Sequence, residues 1–532
     1  MTTDPGGPSP DLEIGAFTRR GPWVVEPGTM PWRVGIDGLR ARTQATVPVL
    51  IERRRVPPAR LGIVGATLVA AVAPCAARKR LKIGDPTQVQ LAHRLRTAVE
   101  RLGTTYIKLG QIVASAEGML PNDLVQEFKD CRDQMPPETF ETVRFVVETD
   151  LGASIEDLFE VFDTAPIAAA SIAQVHAARL RTGEDVVVKV QRPRVEKVVG
   201  ADLRTMAWLA PILVRRVPRL SLLNLPAYIE LFAETIVEEL DFRLEAENML
   251  DIAAVLAKAD QRAVVVPRPH PNLVTKRVLV MERLHGFKID DEAAMRGVGI
   301  DPSRVFTSLM VSFFEGAGIY GVFHGDLHGG NMMVTSDGKV GIFDFGITGR
   351  FDDTARAALM KLLIGGLLGD IAAQIRSFRD LGGFPADADV DAIATDLDLE
   401  TLRKAAAQMT PEDMAAQMRG LVNQLLNHGA KLPKSLFLYM KGMIYLNGAT
   451  AALASDVNIL ETMGTVFAYF ADTHGETFAN DFGVDLATIP FHQAIQSQME
   501  AQLGVDVSDG ITFREMSEIQ AKRMETLREG SS

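Results

Sequence analysis

Cysteine is scarce in this sequence, with only Cys75 and Cys131 among 532 residues. Two thiols cannot build a disulfide framework or a zinc site made of cysteine ligands, and such low usage is typical of a reducing compartment. The N-terminus also lacks the basic and apolar regions of a secretory signal, so the sequence predicts a chain that faces the cytoplasm. Internal repeats are absent. The composition that remains, 47% hydrophobic and 23% charged residues, is that of an ordinary folded protein and excludes global disorder.

Positive charge is in short supply overall but is concentrated at one end. The formal net charge of −12 argues against a general nucleic-acid-binding protein. Residues 1–110 nevertheless hold 17 Lys/Arg against 8 Asp/Glu, whereas the rest holds 39 against 60. Within the basic part, residues 61–77 form an uncharged run with arginines before it and Arg78, Lys79 and Arg80 after it. This run is marginal in length for a membrane span, so it predicts peripheral contact with the inner face of a membrane, with a packed helix or a single span as alternatives.

Changes in pattern along the chain predict five segments. Residues 1–58 carry proline, glycine and arginine without periodicity and are expected to form an irregular arm. A helical extension over 59–164 should precede a small β-rich lobe over 165–284. Residues 285–480 are predicted to be mainly helical, and 481–532 form a polar helical tail.

Two stretches carry the helical and strand signals that matter most. Asp85-Pro86 is a helix start followed by apolar residues at helical spacing, and a second helix is expected around Tyr106. In the β-rich lobe, two strand-like runs flank the turn signal Thr182-Gly183. Residues 226–259 then return to helical periodicity.

The strongest chemical signal is HGDLHGGNMMVTSDGKVGIFDFG, residues 324–346. Asp337-Gly338 predicts a two-residue type I′ turn, and that register places Asn331 directly opposite Asp344. Their Cβ atoms would lie about 5 Å apart, so an amide and a carboxylate oxygen could share Mg²⁺. Asp326 would sit beside that metal and orient or deprotonate an attacking hydroxyl. The alternative is a hairpin with surface Asp and Asn residues.

A strand lysine and an acidic helix complete the pattern. In EDVVVKVQ, Lys189 points to the face opposite its valine neighbours, as expected for a lysine that reaches nucleotide phosphates. On a continuous helix Asp241 and Glu245 would share one face, with Glu239 roughly 120° away. Two carboxylate directions indicate two cationic partners, of which the second is Lys108. An exposed lysine and a solvated acidic face are the alternatives.

Four motifs in this order resemble the UbiB/ADCK family of atypical, AarF-like kinases: KLGQ at Lys108–Gln111, AAAS at Ala168–Ser171, ELD at Glu239–Asp241, and the block that ends in Asp344-Phe345-Gly346. The similarity runs from about residue 85 to about residue 350. It implies an α+β, protein-kinase-like bilobal fold with a β-rich N-lobe, a helical C-lobe and an N-terminal helical extension that carries the KxGQ motif.

The resemblance also implies roles for individual residues. Asp326 would be the catalytic-loop acid, Lys189 and Glu245 an ion pair, and Asn331 and Asp344 the ligands of Mg²⁺. ATP would contact the alanine-rich loop, the strand lysine, a gatekeeper and a hinge, namely Ala168, Ala169, Ala170, Ser171, Lys189, Met281, Glu282 and Leu284. The alanines would leave their backbone N–H groups available to phosphate. A regulatory helix would pair with the ELD acids and occlude a peptide groove, through Lys108, Gly110, Gln111, Glu239 and Asp241.

Departures from the family pattern bear on function. Leu327 and Gly330 stand where the family commonly has proline, which predicts a looser loop, and no APE motif follows Gly346, which argues against a regulated protein kinase. The expected function is an ATPase or kinase that supports isoprenoid-quinone or other lipid biosynthesis at a membrane, with a lipid or quinone precursor and biosynthetic proteins as partners. A small-molecule kinase, suggested by HGDLHGGN, and a nucleotide-sensing scaffold are the alternatives.

Overall fold

A computed structural model gives the fold and divides the chain into two compact units. The first unit comprises Met1–His285, His324–Asp326 and Gly341–Thr348, and the second comprises Gly286–Phe323, Leu327–Val340 and Gly349–Ser532. Within them the structure describes residues 23, 27–52, 56–80, 88–114, 122–131, 135–216, 225–368, 370–385, 387–396, 428–430, 432–453, 459–485, 512 and 515.

The first unit begins with a series of helices: α1 Asp37–Gln44, α2 Val47–Leu50, α3 Pro58–Arg80, α4 Gln88–Leu102, α5 Thr104–Ala114, α6 Asn122–Lys129, α7 Phe140–Leu151 and α8 Ile155–Leu158. The irregular arm expected over residues 1–58 is therefore wrong for its described part. Both α1 and α2 are too short to produce a sustained apolar period, which is why the sequence did not reveal them. The predicted helix start at Asp85-Pro86 lies outside the described residues, as does most of the tail expected over 481–532.

An antiparallel sheet forms the middle of the first unit. Its strands are β1 Phe159–Phe162, β2 Ala168–Ala169, β3 Ala173–Leu180, β4 Asp185–Gln191, β6 Pro269–Val274 and β7 Val278–Glu282, in the order β1-β3-β4-β7-β6 with β2 paired to β3. A further short strand, β5, spans Val264–Val265. Gly183, at φ +103°, closes the β3–β4 turn, as its sequence predicts. Strand structure begins at Phe159, before the expected position 165, and the α+β class is confirmed.

Helix α7 covers one face of this sheet. Its valines Val143, Val146 and Val147 recur at helical spacing, and β4 contributes Val186, Val188 and Val190 at alternate positions to the same buried cluster. Burying a valine side chain completely stabilises a fold by roughly 1.5–3 kcal/mol. Because the valines of β4 enter this core, Lys189 between them points to the opposite face.

The helical periodicity of residues 226–259 belongs to two helices separated by a turn, so the face-sharing argument that assumed one continuous helix does not apply. After α9 Val195–Arg216, helix α10 spans Leu225–Ile236, a 3-10 turn covers Glu238–Leu240, and α11 spans Phe242–Lys258. Asp241 is extended, with φ −135° and ψ 103°, and its carboxylate accepts the N–H of Arg243. An aspartate that caps the next helix in this way stops the preceding one from continuing.

Beyond His285 the chain is mainly helical, with a few short strands. The helices are α12 Glu292–Gly297, α13 Pro302–Gly318, α14 Asp353–Leu368, α15 Ile371–Asp380, α16 Val390–Asp396, α17 Lys434–Leu453 and α18 Ile459–Phe482. The strands are β8 Gly286–Lys288, β9 Val322–His324, β10 Met332–Thr335, β11 Val340–Ile342 and β12 Thr348–Arg350. Strand β8 pairs with β10 in the second unit. There Phe313 on α13 stacks on Tyr439 of α17 with ring centroids 5.4 Å apart.

The turn after β10 corrects the predicted hairpin register. Thr335 donates its N–H to the carbonyl of Lys339 at 2.8 Å, and Gly338 donates to the carbonyl of Thr335 at 2.9 Å with φ +82°. The loop therefore has three residues instead of two, because the Thr335 hydroxyl donates to Asp337 and accepts from the Lys339 N–H. The register count that set Asn331 opposite Asp344 no longer holds. Both residues also lie outside the flanking strands.

Candidate active site

Lys189 lies between two carboxylates of the first unit. Its Nζ is 2.7 Å from Oε1 of Glu245 on α11 and 3.0 Å from Oδ1 of Asp344. The side chain of Glu245 is 2% exposed, whereas that of Asp344 is 41% exposed. The alternative of a solvent-exposed lysine is therefore wrong, and Asp344 is the more accessible of its two partners.

The surroundings of this site favour the protonated form of Lys189 and disfavour the ionised form of Glu245. Burial lowers the pKa of Lys189, but Asp344 and Glu245 raise it by more, so this pKa lies above its ordinary value. Burial also raises the pKa of Glu245 to about 7; Lys189 lowers it, while Asp344 and Glu239 raise it by like-charge repulsion. Three carboxylates, Glu239, Glu245 and Asp344, interact here with two ammonium groups, Lys108 and Lys189, so carboxylates outnumber ammonium groups. Such a region attracts cations.

His324 joins the backbone of Asp326 to that of Asp344. Its Nδ1 accepts the N–H of Asp326 at 3.1 Å, and its Nε2 lies 3.0 Å from the carbonyl oxygen of Asp344. Together these contacts require a neutral ring with its proton on Nε2. Asp344 has φ +64°, a left-handed conformation that aspartate adopts more readily than most residues. The buried ring thus holds both aspartates in place.

Asn248 supports the segment that follows Asp344. It lies one helical turn beyond Glu245 on α11, and its Nδ2 donates to the carbonyl of Phe345 at 2.8 Å. Sequence reasoning assigned no role to Asn248 or His324. The i, i+3 spacing from Glu245 was the available signal for Asn248, and the position two residues before Asp326 was the signal for the histidine.

Lys108 on α5 pairs with one ELD acid and not with both. Its Nζ is 3.0 Å from Oε2 of Glu239, and the two side chains are 13% and 10% exposed. Burial raises the pKa of Glu239, whereas Lys108 lowers it. Asp241 instead faces Arg243, whose Nη2 lies 2.7 Å from Oδ2. The expected pairing of Lys108 with both acids is corrected accordingly, because Asp241 caps α11.

Helix α5 also reaches the alanine-rich segment. Thr104 at its start donates its hydroxyl to the carbonyl of Ser171 at 3.0 Å. Gly110 lies against α6 so closely that a Cβ there would be 3.1 Å from both Sγ of Cys131 and Cδ1 of Phe128. Gln111, the next residue, is half-buried. One helix therefore contacts both the alanine-rich segment and the ELD turn.

The alanine-rich segment is part of a β-hairpin. Ala168 and Ala169 form β2, and Ala170 donates its N–H to the carbonyl of Ala173 at 2.8 Å. The expectation that every N–H of this segment stays available to phosphate is wrong at Ala170, because its donor closes the turn. Arg192 holds the same turn by donating from Nε to the carbonyl of Ala170 at 2.9 Å.

The expected gatekeeper and hinge residues lie at the end of β7 and in the connector that follows it. Met281 is 6% exposed and pairs with Val187 in the sheet. Glu282 forms two hydrogen bonds with the backbone of Arg268. Its N–H donates to the Arg268 carbonyl at 2.9 Å, and its Oε2 accepts the Arg268 N–H at 3.2 Å. Leu284 is half-buried in the connector after β7.

Asn331 belongs to the second unit, where it ends the 3-10 turn Gly329–Asn331 and is 6% exposed. Leu327 in the same loop is 1% exposed, and His328 accepts the N–H of Gly330 at 3.0 Å. A buried leucine and a side-chain hydrogen bond therefore restrain the loop where the family has prolines, and the looser loop stays a prediction. Within the described part of the chain, no three His, Cys, Asp or Glu side chains form a metal-binding group.

Comparisons with known proteins give one consistent result. The model of the ABC1 atypical kinase-like domain matches residues 130–377, a range that contains every predicted catalytic and metal residue and begins after the KLGQ motif. An uncharacterised protein of Mycobacterium tuberculosis is 37% identical over 386 residues, which cover 70% of this chain and 77% of that protein.

The comparisons also match two named relatives and one solved structure. An aarF domain-containing protein kinase of Arabidopsis thaliana is 33% identical over 74% of this chain and 78% of its own length. A probable protein kinase UbiB of Aeromonas hydrophila is 31% identical over 69% and 68%, respectively. A Mycobacterium tuberculosis protein solved with erythromycin is 23% identical, covering 65% of this chain and 94% of its own, at a TM-score of 0.38. A TM-score this low says nothing about a shared ligand.

Proposed function

Because the chain belongs to the ABC1/UbiB family of atypical kinase-like proteins, whose kinase-like fold it shares, we propose that it is an Mg·ATP-dependent ATPase or kinase that acts at a membrane. The observation that carries this proposal is the position of Lys189 between Glu245 and the more exposed Asp344. In kinase-like enzymes a strand lysine held by a helix glutamate contacts nucleotide phosphates.

The donor set at Asp344 fits a hard cation. A carboxylate that is 41% exposed, in a region with excess negative charge, is the type of ligand that Mg²⁺ takes together with phosphate oxygens. We assign Asp344 and Asn331 as its protein ligands. Bound Mg·ATP would supply the transferable phosphoryl group. Asp326 would then orient the attacking hydroxyl or water and accept its proton.

The remaining predicted residues fall into two proposed groups. ATP would lie against a nucleotide-binding set that consists of Ala168, Ala169, Ala170, Ser171, Met281, Glu282 and Leu284. The regulatory helix would act through Lys108, Gly110 and Gln111, with Glu239 as its acidic partner and Asp241 as the cap that sets where α11 begins. The contacts of α5 with Ser171 and Glu239 support a restraining role, because release of α5 would free both at once.

Helix α3 supports contact with the surface of a membrane. Pro58–Cys75 is, in the described part of the chain, the one window long and apolar enough to span a bilayer, with a mean hydropathy of 1.5. However, one face of α3 is packed, since Val64 and Ala71 are buried and Arg94 of α4 donates to the carbonyl of Ala71 at 2.9 Å. Large apolar side chains on its other positions are exposed: Ile63, Val69 and Val72.

Helix α4 carries several charged side chains and cannot enter a bilayer with α3, so α3 could cross a membrane only after leaving α4. We therefore favour a peripheral position on the inner face of the membrane over a single span. The UbiB name of the relatives, together with this apolar surface, favours an isoprenoid-quinone precursor or another lipid as the substrate or partner, and biosynthetic proteins as neighbours.

The test is ATP hydrolysis by the full chain, with and without anionic liposomes and phenolic quinone precursors. We expect Mg²⁺-dependent turnover that rises in the presence of liposomes. Asp326→Asn should abolish turnover while retaining nucleotide affinity. No turnover under any condition, in protein that demonstrably binds nucleotide, would remove the enzyme proposal.

The same variant separates the alternative functions. A nucleotide-sensing scaffold should still support lipid synthesis in cells when Asp326 is replaced by Asn, whereas an enzyme should not. A small-molecule kinase should instead phosphorylate a soluble acceptor in a metabolite screen with labelled ATP. Lipid-stimulated hydrolysis alone in that screen would count against it.

A further inference from the structure

A short N-terminal segment forms side-chain hydrogen bonds with α11, the helix that carries Glu245. We call residues 31–50, with their 3-10 turn, α1 and α2, the N-terminal clamp. At one end, Arg33 forms a bidentate pair with Glu247 of α11, at 2.7 Å from Nε and 2.6 Å from Nη2. At the other end, Gln44 donates to the carbonyl of Glu234 at 2.9 Å and to the carboxylate of Glu238. The clamp is thus anchored on both sides of the ELD turn.

Between these anchors, Arg40 reaches the support of the Asp344 segment. Its Nη2 donates to Oδ1 of Asn248 at 2.6 Å, and Nδ2 of Asn248 donates to the carbonyl of Phe345 at 2.8 Å. An amide can rotate to exchange its oxygen and nitrogen, but a guanidinium donates only and therefore fixes the oxygen on its own side. The nitrogen must then face Phe345.

We propose that Arg40 is a positioning residue, which acts through Asn248 to hold Asp344-Phe345-Gly346 in the conformation that binds Mg²⁺. This inference rests on the proposed function, because it concerns the same site. Asp344 has the left-handed φ of +64°, so its conformation depends on neighbouring bonds. His324 bonds the carbonyl of Asp344 and Asn248 bonds the next carbonyl, which gives the segment two independent supports.

Loss of Arg40 would remove the hydrogen bond that fixes the orientation of the Asn248 amide, whereas the contact of His324 with the carbonyl of Asp344 would remain. The expected result is weaker metal binding without complete loss of activity. A hydrogen bond from a charged donor is stronger than one between neutral groups, so its loss should make local opening of this segment roughly tenfold more frequent.

The experiment measures amide hydrogen exchange of the full chain without nucleotide, in peptides that cover residues 340–350. We expect about tenfold faster exchange there in Arg40→Ala, and a partial return in Arg40→Lys. The matched control is Arg42→Ala on the same helix, because Arg42 is exposed and donates to the carbonyl of Gly35. Peptides from β4 report global unfolding, and Arg40→Gln provides a milder variant if Arg40→Ala opens the whole unit.

A second readout is the Mg²⁺ concentration that half-saturates ATP binding or hydrolysis. We expect it to increase in Arg40→Ala and Asn248→Ala, with no larger increase in the double variant, and to stay unchanged in Arg42→Ala. Exchange over residues 340–350 that is equal in wild type and Arg40→Ala overturns the inference. If exchange changes but the wild type binds no nucleotide, the proposed function fails and the positioning contact stands.

Discussion

Lys189 and Glu245 form a buried ion pair with an Nζ–Oε1 distance of 2.7 Å, which joins strand β4 to helix α11 across 56 positions of the chain. Asp344 shares the same ammonium at 3.0 Å. One lysine therefore connects the sheet, the acidic helix and the proposed metal ligand. A nucleotide phosphate that binds this ammonium must also change the ion pairs that both carboxylates make with it.

Replacement of Lys189 by alanine should remove stabilisation by nucleotide. A ligand at one hundred times its Kd stabilises the folded state by about 2.7 kcal/mol, so wild type should show a clear rise in Tm with Mg·ATP. Lys189→Ala should show little or none. The control is Lys276→Ala, whose ammonium pairs at 2.8 Å with Glu196 on the surface and should leave the rise unchanged. An equal rise in Lys189→Ala and wild type would contradict the proposed phosphate contact.

The stability of the metal-free protein should depend on pH through Glu245. Its pKa is about 7 in the folded state, well above the ordinary value of a glutamate in an unfolded chain. Between these two values the folded state holds one more proton, so the free energy of unfolding decreases as pH rises and levels off above about 7. The decrease from this group is on the order of 3 kcal/mol.

Urea unfolding in the presence of a chelator, between pH 4.5 and 8, measures this slope. Glu245→Gln should make the slope shallower by about one proton, while Glu160→Gln, at an exposed position on β1, should leave it as in wild type. Identical slopes in wild type and Glu245→Gln would show that Glu245 remains ionised throughout.

The sequence predicted those parts of the site that follow from local patterns. Alternating valines located β4 and the face of Lys189, and the spacing of acids indicated two carboxylate directions. It failed where one side chain changes the local backbone. The Thr335 hydroxyl adds a residue to the hairpin loop, and the cap formed by Asp241 divides a helix that apolar periodicity alone would continue.

A second kind of failure concerns bonds to distant carbonyl groups. Asn248 bonds the carbonyl of Phe345 and His324 bonds that of Asp344, and every residue has a carbonyl. No pattern of residue types marks such an acceptor. These two residues became visible only when the fold brought α11 and the Asp344 segment together within the first unit.

The pair of Lys108 and Glu239 should show measurable coupling. In a double-mutant cycle with Lys108→Ala and Glu239→Gln, we expect a coupling free energy of about 1–3 kcal/mol, because both side chains are largely buried. The matched cycle with Asp241→Asn should give less than about 0.5 kcal/mol, since Asp241 faces Arg243. Similar coupling in the two cycles would restore the expectation that Lys108 serves both acids.

The same substitution tests the restraining role of α5. Lys108→Ala should increase phosphorylation activity, because α5 would be held less firmly against the ELD turn. Gln111→Ala should also increase it, because the proposed occlusion of the peptide groove would be relieved. Activity with labelled ATP that is identical to wild type in both variants would remove the proposed regulation and leave the ion pair as a purely structural contact.

Two glycines on helices of the first unit should respond in opposite ways to alanine. Gly65 on α3 has no atom within 4 Å of its would-be Cβ, so Gly65→Ala should stabilise the protein by up to about 1 kcal/mol through helix propensity. Gly110 on α5 would place its Cβ 3.1 Å from Cys131 Sγ and Phe128 Cδ1, both on buried side chains. Overpacking of this kind costs about 1–3 kcal/mol, which exceeds the gain in propensity.

Because Lys108 lies on the same helix as Gly110, the shift of α5 in Gly110→Ala should also weaken the coupling of Lys108 to Glu239. Thermal unfolding measures the change in stability, and the double-mutant cycle measures the change in coupling between Lys108 and Glu239. A rise in Tm for Gly110→Ala equal to that for Gly65→Ala would mean that α5 is not closely packed on α6.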